Sequence, residues 1–198
     1  MKIFLFKRFG VSGLSRGIAA LEFALILPLL VILAFGIIDF GRLINARLVI
    51  TNVSREGGNL ASRYRDVEIQ AQANDLLNLL QISGKPLDLD TYGKIYITKI
   101  LAGTSTHTQP TIAAQVGKGN LSVSSKIVGS SSTMGLSQQG LFNHLVFNAS
   151  HQTADISEIT VVEVFYKYKP ITPLPGLIQN ILTTPGYDGI VIGSKAVF

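Results

Sequence analysis

From Ile18 to Ile38 the chain reads IAALEFALILPLLVILAFGII, 21 positions in which Glu22 is the only charge. As a helix rising about 1.5 Å per residue, this run is roughly 31 Å long, close to the thickness of a bilayer's hydrocarbon core. The sequence therefore predicts one transmembrane helix over 18–38. No later stretch reaches this length without charges, so a single crossing is expected, with the bulk of the chain beyond it.

The flanks set the expected direction. Lys2, Lys7, Arg8 and Arg16 precede the run with no acid among them, whereas Asp39 follows it directly. The bias of basic residues toward the cytoplasmic side predicts a cytoplasmic N-terminus and a single-pass protein with its C-terminal part on the far side of the membrane. The whole chain carries 17 Lys and Arg against 12 Asp and Glu. Without the four leader bases, residues 18–198 hold 13 bases and 12 acids, a net charge of +1. The basic character belongs mostly to the leader, and nucleic-acid binding has no support from it.

A carboxylate inside an apolar helix costs a few kcal/mol at mid-bilayer and usually marks a partner or a reaction. Three readings of the N-terminus accommodate Glu22. The first is an uncleaved signal anchor, with Glu22 reaching toward the cytoplasmic interface. The second is a secretory signal peptide cut after Ala34-Phe35-Gly36, before Ile37, which places Glu22 and Pro28 inside an overlong apolar region. The third is a prepilin-type leader, cut by an intramembrane aspartyl peptidase after a glycine that stands five residues before a glutamate. Among the nearby glycines only Gly17 has that spacing: five residues beyond Gly10, Gly13 and Gly36 stand Ser15, Ile18 and Gly41. Cleavage between Gly17 and Ile18 would remove the leader 1–17.

The stretch GIAALEFALILPLLVILAFGIIDFGRLINARLVITNVSREGGNLASR, from Gly17 to about Arg63, resembles the TadE/TadF minor pseudopilins of tight-adherence (Flp) pilus systems. The resemblance rests on Gly17, Glu22 followed by the aromatic Phe23, Ala24, Leu27-Pro28, Gly36-Ile37, Phe40-Gly41-Arg42 and the segment Asn52 to Arg63. Two positions depart from that family: Phe23 stands where Tyr is frequent, and Gly57-Gly58 where alanines are usual. Paired glycines cost about 1 kcal/mol each against alanine in a helix, which predicts a bend or break near Gly57.

The resemblance implies a minor pseudopilin that takes part in pilus assembly and in cell adhesion. Its implied partners are a prepilin peptidase, other pilins or pseudopilins, inner-membrane pilus assembly proteins and the lipid bilayer. Gly17 and Ile18 are then the processing site, with Glu22 and Phe23 as the processing and assembly motif. After cleavage the Glu22 carboxylate is expected to pair with the free amino terminus of a neighbouring helix, so that two groups costly in lipid neutralise each other. Pro28 removes one backbone donor and crowds the Ala24 carbonyl, and is expected to shape the helix.

Beyond the run, Phe40, Leu43, Ile44 and Leu48 keep helical spacing, which predicts that the membrane helix continues as a stalk over 39–65. A second amphipathic helix is expected over about 66–82, with Ile69, Ala73, Leu76, Leu77 and Leu80 on one stripe, Asp66 as N-cap, and Gly84 and Pro86 as stop signals. Period-two alternation marks strands at Lys94 to Leu101 and at Val162, Val164, Tyr166 and Tyr168. Shorter candidates are Thr111 to Val116, Leu145 to Phe147 and Gly189 to Phe198. No second long helical pattern separates them, so 66–198 is expected to be a small α+β domain, a helix packed on an antiparallel sheet. The Ser/Gly-rich stretch Gly117 to Gly140 and the proline-rich Pro170 to Gly189 read as surface loops without the hydrophobicity for a core.

Catalytic chemistry finds little footing. The chain has no cysteine, hence no thiol nucleophile, disulfide or thiolate metal site. His107, His144 and His151 form no recognised ligand spacing, although His144, His151 and Asp155 lie near enough in sequence to meet. Gly117-Lys118-Gly119-Asn120 lacks the rest of a phosphate loop. Tyr166, Lys167, Tyr168 and Lys169 alternate as a strand with its lysines toward solvent. No cofactor, metal or catalytic residue is expected. The rival to the assembly protein is a signal-anchored periplasmic domain with a ligand-binding or hydrolytic activity, for which Glu22 is incidental.

Overall fold

The computed structural model describes residues 12–63, 66–127, 134–136, 140–176 and 189–198; the side chains of 12–16 and 66–73 lie outside the description. Residues 1–11 of the leader 1–17, the N-capping role of Asp66 and the stripe positions Ile69 and Ala73 therefore fall outside it. The chain divides into two compact units, Met1–Gly41 with Ile171–Tyr187, and Arg42–Pro170 with Asp188–Phe198. One helix, α1 (Ser12–Ala61), enters both. The continuous apolar and helix-forming sequence from Ile18 to Val53 gives it no internal stop, and it runs on through Pro28.

The second unit is built on a four-stranded antiparallel sheet. Its strands are β1 (Gly93–Leu101), β2 (Thr111–Lys118), β3 (Glu158–Tyr168) and β4 (Ile190–Val197), in the order β2-β1-β3-β4. Ile97 faces Val162 across the central pair, and Ile95 faces Val164. Since side chains alternate across a strand, these four share one face. Against it pack Ala46, Ile50, Val53 and Ala61 of α1 and Leu76, Leu77 and Leu80 of α2 (Asp66–Ser83). This is the expected α+β arrangement. From Ala46 onward α1 is itself a core helix, all four of those residues being buried.

The paired glycines do not break α1, contrary to the expectation from propensity. A Cβ on Gly57 would stand 2.8 Å from Leu80 Cδ1 and 3.1 Å from Val162 Cγ1, and one on Gly58 would enter the Phe198 ring. Tertiary packing overrides the local preference: the glycines let α1 lie close against α2, the sheet and the last residue. Nearby, the Ser54 and Ser194 hydroxyls meet at 2.9 Å, linking α1 to β4.

The opposite face of the sheet carries a second core, which the sequence reading did not anticipate. Ile100, Ile159 and Val161 point into it and are covered by Ile127, Leu136, Phe142 and Leu145. The stretch Gly117 to Gly140 is thus not wholly a solvated loop, because Ile127 and Leu136 are buried, with Met134 packed beside them. Leu145 to Phe147, expected as a strand, instead follows or ends a short helix, α3 (Leu141–Leu145). Gly140 opens that helix at φ 65°, and Phe142 and Leu145 share its buried side.

Polar ties fix this covering segment. The buried Glu163 carboxylate on β3 accepts a hydrogen bond from the Ser125 hydroxyl and another from Lys126 N–H at 3.1 Å. Ser125 Oγ in turn accepts Ile127 N–H at 3.1 Å. The Tyr96 hydroxyl donates to the Val123 carbonyl at 2.7 Å, and Lys195 Nζ donates to the Gly135 carbonyl at 2.8 Å. A buried carboxylate is tolerable only when hydrogen-bonded, and here it is the covering segment that supplies the donors.

Candidate functional site: the anchor helix and its exit

The apolar part of α1 is exposed along its length. Ile18, Leu21, Phe23, Leu25 and Leu29 are each more than half exposed, and none of the residues from Ile18 to Ala34 is buried. Gly17–Ala61 is the one helix among the described residues long and apolar enough to cross a membrane. An exposed apolar surface of this size is costly in water, and lipid or other apolar helices are the surroundings that suit it.

The residues singled out in the sequence all fall on this surface. Gly17 and Glu22 lie five residues apart, about 7.5 Å along the axis at helical rise. Glu22 is exposed between Leu21 and Phe23, and among the described residues no hydrogen bond or ion pair engages it. A Cβ added at Gly17, Gly36 or Gly41 would meet nothing within 4 Å among the described residues, so unlike Gly57 and Gly58 these glycines are not explained by packing against them. Pro28 sits inside α1, on the same exposed stretch.

The helix leaves its apolar run at Asp39, a residue that the sequence reading used only for its charge. Its carboxylate accepts Ile171 N–H at 3.0 Å, Thr172 N–H at 3.4 Å and the Thr172 hydroxyl. The partner stands 132 residues away, beyond any sequence pattern. Farther along, burial pushes the Tyr166 phenol above its ordinary value; the negative charge of Asp88 adds to this and Arg42 opposes it.

Of the groups considered for catalysis, the fold brings His144 and Asp155 together, with Nδ1 and Oδ2 2.8 Å apart. Both side chains are more than half exposed, and the pair lies on the surface with no flanking nucleophile described beside it. Tyr168 is buried in the helix-side core, as a strand residue is expected to be.

An exposed, lipid-compatible helix bearing a lone carboxylate near its start, with an α+β domain packed on its continuation, suggests a membrane-anchored protein. Residues 17–59 match the model of the family described as TadE-like protein. That segment is TadE-like, as its resemblance indicated. The match spans both the apolar run and the glycine pair of α1, and stops short of the sheet. No curated protein and no solved structure matches the chain.

Proposed function

We propose that the chain is a minor pseudopilin which takes part in assembling Flp-type pili through its membrane helix, with the α+β domain on the periplasmic side of the inner membrane. The observation that carries this reading is the coincidence of Gly17 and Glu22, at prepilin spacing, on an exposed apolar helix where Glu22 makes no bond to another described residue. A prepilin peptidase would cut between Gly17 and Ile18. The new amino group and the Glu22 carboxylate of a neighbouring helix then form an ion pair, which is strongest where water is excluded. Insertion alone leaves both charges uncompensated, so docking to pilins, pseudopilins or inner-membrane assembly proteins becomes favourable. Phe23 lies beside the carboxylate as part of the same motif, and Pro28 shapes the helix roughly one and a half turns further on.

Expressing the full chain with its cognate peptidase and determining the mature N-terminus by intact mass and terminal peptide sequencing tests the processing step. A start at Ile18 supports it. A start at Met1 favours the signal anchor, and a start at Ile37 means a released protein. Replacing Glu22 with Gln or Leu is expected to leave insertion intact and to abolish or sharply reduce piliation; normal piliation in either variant removes the proposed role.

A further inference from the structure

Asp39 does more than end the apolar run, because it holds a second piece of chain at the same level. The connection between β3 and β4 starts at Pro170, and from there through Tyr187 it contains no Asp, Glu, Lys or Arg. Its first residues are clasped by Asp39 through two backbone N–H groups and one hydroxyl. Ile171 is nevertheless 65% exposed. A bound backbone lies within about one side-chain length of the helix, so Ile171 sits next to the residue that follows Ile38, at the end of the lipid-compatible surface. Ile171 and Thr172 belong to the same compact unit as the apolar part of α1.

The backbone here is also suited to a poorly hydrated place. Lipid offers no partner to an unsatisfied N–H and so strongly disfavours it. Pro170, Pro173 and Pro175 have no N–H to satisfy, and Ile171 and Thr172 give theirs to Asp39. Only Leu174 and Gly176, of the seven residues 170–176, retain a donor not accounted for in this way. Asp39 gains three donors, which offsets the loss of water around a carboxylate at the membrane boundary.

We propose that the turn beginning at Ile171 is a second membrane contact, its apolar side chain seated in the headgroup region of the bilayer and held there by Asp39. The occupant of this exposed surface is lipid, and the proposal rests on the reading of 18–38 as a membrane span. An uncharged segment beside the exit of a single helix gives a bitopic protein two attachments to one interface.

The cysteine-free sequence permits clean single-site labelling of the full chain. I171C, F40C, L30C and S105C would each carry an environment-sensitive fluorophore, in vesicles of phosphatidylethanolamine and phosphatidylglycerol doped with headgroup-spin-labelled or 5-doxyl phosphatidylcholine. The expected result is quenching at 171 as strong as at the exit position 40, with none at the exposed loop position 105. The I171C label in a D39A background should lose most of that quenching while the label at 30 keeps its own. Quenching at 30 and 40 with none at 171 overturns the proposal and leaves the membrane span standing. No quenching at 30 overturns the span itself and the proposal with it, and undiminished quenching at 171 in D39A overturns the role given to Asp39.

Discussion

Gly57 offers a quantitative test of the packing between α1 and α2. In an isolated helix Gly→Ala gains about 1 kcal/mol. Here the new methyl would stand 2.8 Å from Leu80 Cδ1 and 3.3 Å from Leu80 Cδ2, with Val162 Cγ1 at 3.1 Å behind them. Leu80 is fully buried and has little room to yield, so overpacking costs about 1–3 kcal/mol. The expected balance for Gly57→Ala is a net destabilisation of about 1 kcal/mol. Leu80→Ala alone should cost about 2–5 kcal/mol through lost burial and the cavity left behind. The double variant removes the two methyls that the new Cβ strikes and partly fills the cavity, so it should be more stable than the sum of the singles predicts by about 1–2 kcal/mol, within the range of contacting pairs. Urea denaturation of a fragment comprising residues 42–198, followed by circular dichroism, measures all four corners of the cycle. Additivity within about 0.5 kcal/mol, or a stabilised Gly57→Ala, would refute the packing explanation and return the glycine to an accident of sequence.

The second core yields two further expectations. Glu163→Ala leaves the Ser125 hydroxyl and Lys126 N–H without their acceptor inside the protein and should cost about 2–5 kcal/mol, whereas Glu163→Gln, which keeps one carbonyl oxygen, should cost markedly less; equal losses in chemical denaturation would show that the contacts are not what matters. Leu136→Ala should destabilise by about 2–4 kcal/mol, measured in the same way, while a value within about 0.5 kcal/mol of wild type, as at a surface site, would mean that the segment around it is solvated after all.

What could be read from sequence was what is encoded locally. The apolar run and the Gly17–Glu22 spacing need only a single stretch of chain, and the strands at Lys94 to Leu101 and Val162 to Tyr168 declare themselves by alternation. The second core escaped because Ile127 and Leu136 lie in a Ser/Gly-rich segment whose few apolar residues carry no helical or strand periodicity; only the sheet's far face, with Ile100, Ile159 and Val161 also buried, reveals their purpose. A usable hint was present: β3 is apolar on both alternating sets, Val162 and Val164 on one and Ile159, Val161 and Phe165 on the other, which is the pattern of a strand covered on both sides. Gly57-Gly58 misled because propensity counts the helix alone, while the reason for the glycines stands on α2, β3 and the last residue. Asp39 was legible as a charge but not as a clasp, its partners being set by the path of the chain.

The strand order also imposes a timetable. β3 fills the middle of the sheet and β4 completes it, yet both are made last, whereas α1 is synthesised first and contributes Ala46, Ile50 and Val53 to the same core. About 160 residues separate the end of the apolar run from Phe198, and at about 5–20 residues per second this is roughly 10–30 s of translation. For most of that interval the apolar helix is available to the membrane while the sheet still lacks β3 and β4. On the proposed membrane reading, anchoring therefore precedes closure of the domain, and the tail that follows the helix is still unfolded when the helix finds its place.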